Sequence, residues 1–398
     1  MLEVKRVSNR LMVFDTKSEG KFPIAVRVAD HVFAPGVFIS EAPAYGPGEW
    51  SQRLWSNDTY TYAKEVLSAL NCPSSGILHL IQYMTDDRTM VTASYPGRQS
   101  LFGDELPCTT AIGVSDLATR AGYMQLDIAA YAGSAAVVER TRGADVLLFS
   151  ESIEVAGDLY FAGVTVGDAA ASADLSRWAS VPSQDAVEWL FREKLTPRLD
   201  AEGCSVNDIT VLHCHLKNLA REVAPVVSAL KSIFHNELPV LQFSPASQLH
   251  WQDGRIEITA MATRSADRDM SSLASKDPSV WGGPRSSRIG DFVHTATCLA
   301  GPRCQEQVPM SYYTNPVALE TRDILTQIEE ICALYERSIA DLVRLRIYLK
   351  DINNASDVFA AIHDMVGDSV AVSFVGDRSP DSFIDGCSVS ADAVFYCP

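Results

Sequence analysis

The heptapeptide Leu345-Arg346-Ile347-Tyr348-Leu349-Lys350-Asp351 limits the fold more than any other stretch, because versions of it recur at nearly equal intervals. About 133 residues earlier stands Leu212-His213-Cys214-His215-Leu216-Lys217-Asn218, and about 132 before that Leu80-Ile81-Gln82-Tyr83-Met84-Thr85-Asp86. In the last copy Leu345, Ile347 and Leu349 alternate with Arg344, Arg346 and Tyr348, the two-residue period of a strand with one apolar and one polar face. An amphipathic helical stretch precedes each copy, and a second helix and paired strands follow it. Glu-Leu-Pro recurs at the same point of two copies, at Glu105-Leu106-Pro107 and Glu237-Leu238-Pro239. Solenoid repeats run to about 20–50 residues, so each copy here is a domain-sized unit, reading β-β-α-β-α-β-β. The expected units are residues 1–135, 145–264 and 280–398, with a linker at 265–279 inside a stretch rich in Ser, Asp, Gly and Pro.

With 398 residues, 47% of them hydrophobic, the chain can bury several cores. Its net charge of −17 argues against nucleic acid as a partner, since a phosphate backbone needs clustered Lys and Arg. The N-terminus Met1-Leu2-Glu3-Val4-Lys5-Arg6 lacks the apolar run of a signal peptide. Nowhere does the chain stay apolar for the roughly 18 residues of a spanning helix. The expectation is a cytoplasmic protein with no membrane partner. The nine cysteines are odd in number and include no Cys-x-x-Cys pair, so free buried thiols are expected.

Local signals place the helices. Tyr60, Ala63, Leu67 and Leu70 share a face over 57–70, and Ile324, Ile328, Ile331 and Tyr335 do so more regularly before the third copy. Pro197 predicts a kink or shortening of a helix over 183–202, and Pro96-Gly97 predicts a short, loosened second helix in the first unit. Gly282-Gly283-Pro284-Arg285-Ser286-Ser287-Arg288 has the glycines of a phosphate loop but neither its Gly-Lys-Ser/Thr ending nor a following helix, and reads as a flexible connector.

The polar faces of the repeated strands carry the chemistry. With its leucines and isoleucine under helices, the third copy turns Arg344, Arg346 and Tyr348 to the interior. The same register turns His213 and His215 inward from the second copy, and His79 and Tyr83 from the first. Two arginines beside histidines make an anion site, since a guanidinium offers a planar fork to a carboxylate. The same arginines would equally neutralise Asp127, Glu257 and Asp392 on the closing strands and specify how units pack. His213 and His215, two apart on a strand, could share a metal with a third ligand such as Glu257. No further His or Cys stands at a ligand spacing, and neither a metal nor a cofactor is expected. Either histidine suits a general base. Glu257 is the foremost acid candidate, because burial in a cleft raises a carboxyl pKa towards neutrality; its plainer role is an ion pair with Arg255 or with an arginine of a neighbouring unit. Cys298 reads as a small buried thiol.

Three features in regular order resemble the YjgF/RidA family. They are an opening strand that begins Gly290-Asp291-Phe292-Val293, a strand after a helix that ends Leu349-Lys350-Asp351, and a closing strand with an acid, Ile256-Glu257-Ile258-Thr259-Ala260-Met261-Ala262. The resemblance implies an α+β fold of chorismate-mutase type, whose trimers turn their sheets towards a central barrel. Three tandem RidA-like copies in one chain would form an intramolecular pseudo-trimer, as a monomer or a homodimer of pseudo-trimers. It also implies a cofactor-independent hydrolase or deaminase that acts on imines or enamines in a cleft between units. The family holds a substrate carboxylate with an Arg shortly after a Pro on the strand following the second helix. The matching positions read Pro107-Cys108-Thr109-Thr110, Pro239-Val240-Leu241-Gln242 and Ser369-Val370-Ala371-Val372, without Arg. The family's closing-strand Glu falls at Gln125, Glu257 and Ser390, so one copy keeps it. Glu257, His213 and His215 are then the expected catalytic groups. Arg344, Arg346, Tyr348, Gln125 and Ser390 are the expected contacts of an anionic small-molecule substrate, in specialised biosynthesis. The chorismatases, which use the same subunit fold in tandem, are a more distant resemblance and imply a hydrolase or lyase acting on a carboxylated substrate. A non-catalytic small-molecule-binding or scaffold protein is the remaining expectation.

Overall fold

The computed structural model describes residues 2–16, 22–39, 49–85, 87–118, 122–142, 149–166, 181–249, 254–264, 279–301, 315–379 and 381–398. The expected linker, apart from Ser279, and Cys304 lie outside the described residues.

The described strands form three mixed sheets with helices packed on them. Each sheet has a repeated strand inside it: Ile77–Met84, Ile209–Lys217 or Leu342–Leu349. On one side runs the antiparallel closing strand of the same copy, Met124–Tyr131, Ile256–Thr263 or Val389–Tyr396. On the other runs the parallel strand that follows the second helix, Cys108–Gly113, Val240–Ala246 or Ala371–Gly376. An opening hairpin pairs with each closing strand, and Leu2–Val7 and Arg10–Asp15 widen the first sheet further.

Local chemistry explains these elements. In the third copy Asn315 caps the helix Pro316–Leu334, its side chain accepting from Val317 N at 3.0 Å, and Pro316 sits where a missing N–H costs nothing. Ile324, Ile328 and Ile331 from that helix join Leu345, Ile347 and Leu349 in one buried core. Each such aliphatic side chain contributes about 1.5–3 kcal/mol on burial. A turn closed by a capping box leads into two of the repeated strands, with Ser205 and Asp208 before Ile209 and Ser338 and Asp341 before Leu342. The repeat thus extends to the hydrogen bonds that aim the strand.

One helix expectation agrees with the structure and one changes. Pro197 interrupts the regular α-helix without ending it. The turn before it, Phe191–Leu195, widens to a π turn between Ser183–Leu190 and Thr196–Ala201, because Pro197 has no N–H for the carbonyl four residues back. The second helix of the first copy is not shortened: Asp87–Phe102 runs through Pro96. Gly97 lets it approach the first helix, since a Cβ there would stand 2.7 Å from the Tyr60 ring. The glycine-rich connector is also packed rather than free. Trp281 donates to Thr297 O at 2.8 Å and lies against Phe243, and a Cβ on Gly283 would meet Pro239 O at 2.8 Å.

Short segments tie the sheets together. Gln248–Leu249 of the second copy pairs with Ile112 and Gly113 of the first, and Asp116–Leu117 of the first pairs with Val375 and Gly376 of the third. Asp381 of the third copy accepts from Ala220 N at 2.9 Å and pairs with Arg221 of the second at 2.7 Å. These links are too short to continue the ladders. The described strands therefore make three open sheets and not the closed barrel expected from the sequence. The eight described cysteines are free and buried, and burial pushes the thiols of Cys72, Cys298 and Cys332 up to about 12, so none of these three is a poised nucleophile. Among the described residues no helix is long and apolar enough to cross a membrane.

Candidate functional site

The polar faces of the three repeated strands converge, and Arg346 is the knot. Its Nε donates to Asp392 Oδ1 at 2.9 Å and its Nη2 to Gln242 Oε1 at 2.8 Å, while its Nη1 lies 3.1 Å from His213 Nδ1. Asp127 of the first copy adds a carboxylate at 3.6 Å. One guanidinium thus touches all three copies. An arginine only donates, so His213 accepts at Nδ1 and carries its hydrogen on Nε2, 3.4 Å from Tyr348 Oη. Tyr348 in turn donates to Asp392 Oδ2 at 3.2 Å. Burial pushes the Arg346 pKa down, but Asp392, Tyr348 and Asp127 outweigh it and hold the group well above its ordinary value. Burial, with His215 and the arginines, holds His213 well below its own.

Beside this knot lies a cavity whose wall includes His79 of the first copy, Tyr160 and His213 of the second, and His294, Arg344 and Arg346 of the third. Strand register explains the convergence. Arg344 and His294 both pair with Val394, from its two sides, so both side chains stand on the same face. Arg344 lies over the Phe33 ring at 5.9 Å, with its nearest carboxylate, Asp392, at 3.6 Å. Among the described residues neither Arg344, His79, His294 nor Tyr160 has a side-chain hydrogen-bond partner. Burial lowers the pKa of Arg344 and, together with the two arginines, that of His79 to about 3 and of His294 well below the ordinary imidazole range. The histidines are therefore neutral at pH 7. The space open to water centres is about 40 Å³, and about 10–15 Å³ admits one water, so there is room for a few water-sized groups.

The sequence-derived site residues divide between two levels. Arg344, Arg346 and His213 line the cavity, with Tyr348 bonded behind them. The other four lie one step further along the strands. His215 stacks on His213 with centroids 4.0 Å apart, and its Nδ1 is 2.5 Å from Ser244 Oγ. Glu257 stands opposite His215, Ser390 opposite Tyr348, and Gln125 opposite Tyr83. Among the described residues both amide atoms of the fully buried Gln125 lack a partner. Glu257 turns towards the first copy: a Cβ on Gly163 would lie 2.2 Å from Glu257 Oε1 and 2.8 Å from Thr110 Oγ1. Gly163→Ala is therefore expected to displace the carboxylate and cost about 1–3 kcal/mol, read as a lowered urea midpoint; an unchanged midpoint would show that Glu257 has room to move. Sequence reasoning turned His79 inward but did not make it a site residue, and it passed over His294 and Tyr160. The alternation of Phe292 and His294 on their strand is a signal that could have found His294. Among the described residues no three His, Cys, Asp or Glu side chains are grouped to hold a metal.

No family model and no curated protein sequence matches the chain. Among solved structures it is similar to a chorismatase, at 12% identity and a TM-score of 0.47, covering 81% of this chain and 93% of that one. A member of the YjgF/YER057c/UK114 family from Mycobacterium tuberculosis is similar at 25% identity and a TM-score of 0.23, covering 33% of this chain and 95% of that one. RidA from an Antarctic Psychrobacter is similar at 13% identity and a TM-score of 0.23, covering 28% and 86%. These two structures cover 33% and 28% of the chain.

Proposed function

We propose that residues 1–135, 145–264 and 280–398 form an intramolecular pseudo-trimer, and that the chain is a cofactor-independent enzyme acting on a small anionic metabolite where the three units meet. The observation that carries this is the cavity in which His79 and His294, neutral and without hydrogen-bond partners among the described residues, stand beside Arg344. Arg344, rather than Arg346, holds the anionic group, since the donors of Arg346 are engaged by Asp392, Gln242 and His213. A bound negative charge raises the pKa of a neighbouring imidazole, so the substrate itself brings His79 or His294 into range to take or give a proton. In imine hydrolysis the imidazole takes a proton from a water as its oxygen adds to the C=N carbon and passes that proton to the nitrogen; the amino alcohol so formed then collapses, its hydroxyl proton moving to the nitrogen as the C–N bond breaks, to give the carbonyl compound and ammonia.

Two measurements test the reading. A pseudo-trimer fills its own trimer positions, so light scattering is expected to give 43.4 kDa or twice that, and a trimer of chains would sink it. Turnover of 2-iminopropanoate-type imines by the purified protein is expected to fall about 100-fold or more in His294→Gln, the scale of a lost acid–base group. Absence of turnover would favour the non-catalytic binding role.

A further inference from the structure

We infer that the cavity is built for a single planar oxyanion of about the size of formate, bicarbonate or acetate, held on Arg344 between His79 and His294; this rests on the reading of the cavity given above and narrows its ligand. Arg344 is 7% exposed, and its surroundings leave it incompletely served. Asp392 is engaged elsewhere: its Oδ1 accepts from Arg346 Nε at 2.9 Å and lies 2.8 Å from Arg346 Nη2 in an ion pair, and its Oδ2 accepts from Tyr348 at 3.2 Å. The remaining 3.6 Å approach to Arg344 is beyond hydrogen-bond reach. A buried guanidinium without hydrogen bonds is costly, and a planar anion satisfies it with two parallel bonds.

The rest of the wall agrees. Among the described residues His79 Nε2 is buried without a partner, and His294, 5% exposed, faces the same space. Each neutral imidazole has one N–H to donate. Arg346 is paired with Asp392 and Asp127, so Arg344 is the cation on this wall that faces the ligand. Phe33 and Met261 close apolar sides. Space of about 40 Å³ for water centres holds about three water-sized groups, enough for an oxyanion head and too little for an aromatic ring.

The test is calorimetric titration of the full chain with formate, acetate and nitrate, against chloride at constant ionic strength, with benzoate as the size control. Expected are one-to-one binding of the small oxyanions and no binding of benzoate. Affinity is expected to fall about tenfold in Arg344→Gln, the loss of a charge-assisted hydrogen bond, and several-fold in His294→Gln, which keeps every buried charge and so separates ligand contact from folding. No heat at millimolar anion, unchanged affinity in both variants, or benzoate bound as tightly as formate would overturn the inference. Turnover of an imine without oxyanion binding would overturn it and leave the proposed enzyme standing. Oxyanion binding without turnover supports it and removes the enzyme reading.

Discussion

Replacing Arg346 by alanine is expected to destabilise the protein by about 3–5 kcal/mol, the cost of leaving buried charges without their counter-ion. The variant would leave Asp392, fully buried, and Asp127, 3% exposed, facing each other across an emptied centre. It would also remove the donor that fixes the His213 tautomer and the bond to Gln242. Because the partners belong to three sheets, the loss is expected to loosen the association of all three rather than one core. Urea unfolding followed by tryptophan fluorescence measures it. A change of less than about 1 kcal/mol would mean that the centre is wet and the ion pairs are screened. Replacing Arg346 and Asp392 together by apolar residues of similar volume is expected to cost less than Arg346→Ala alone, since a pair removed whole leaves fewer uncompensated charges.

Stability is also expected to fall steeply as pH drops below 6.5, well before ordinary carboxylates titrate. Burial is the first cause that keeps His79, His213, His215 and His294 below their ordinary pKa, and the neighbouring arginines add to it. In the unfolded chain these imidazoles protonate near 6.5. Below that pH the unfolded state binds more protons, so folding stability decreases until the folded pKa values are reached, about 3 for His79. Each histidine contributes a slope of up to about 1.4 kcal/mol per pH unit, and the four together up to about 5. Three buried carboxyls oppose this at lower pH. Burial raises Asp158 to about 6, and it raises Glu320 and Asp377, so each stabilises the fold at acid pH and loses that contribution as pH rises through its folded pKa. The histidine effect is therefore clearest between pH 6 and 6.5. Unfolding midpoints constant from pH 7.5 to 5.5 would show that the four imidazoles titrate freely in the fold.

The repeated strand and its helices were legible in the sequence because their signals are local. The alternation of Leu345, Ile347 and Leu349 with Arg344, Arg346 and Tyr348 fixes two faces whatever the strand packs against, and the 3–4 residue spacing of Ile324, Ile328 and Ile331 fixes a helix face in the same way. The inward turn of His213 and Arg346 follows from that alternation alone. Which inward residues meet does not, because partners at the junction come from different sheets and are more than 100 residues apart, as Arg346 is from Gln242 and His213. Only the packing of the sheets decided that Arg346 is consumed by Asp392, Gln242 and His213 while Arg344, two residues away on the same face, is left to the cavity. Glu257 shows the same limit. Its strand could be read from the sequence, but its direction depends on Gly163, whose missing side chain makes room for the carboxylate. His294 reached the cavity because its strand lies on the far side of Val389–Tyr396 from Arg344. A strand's order in a sheet is set by long-range hydrogen bonds, which leave no periodic mark on the residues that make them.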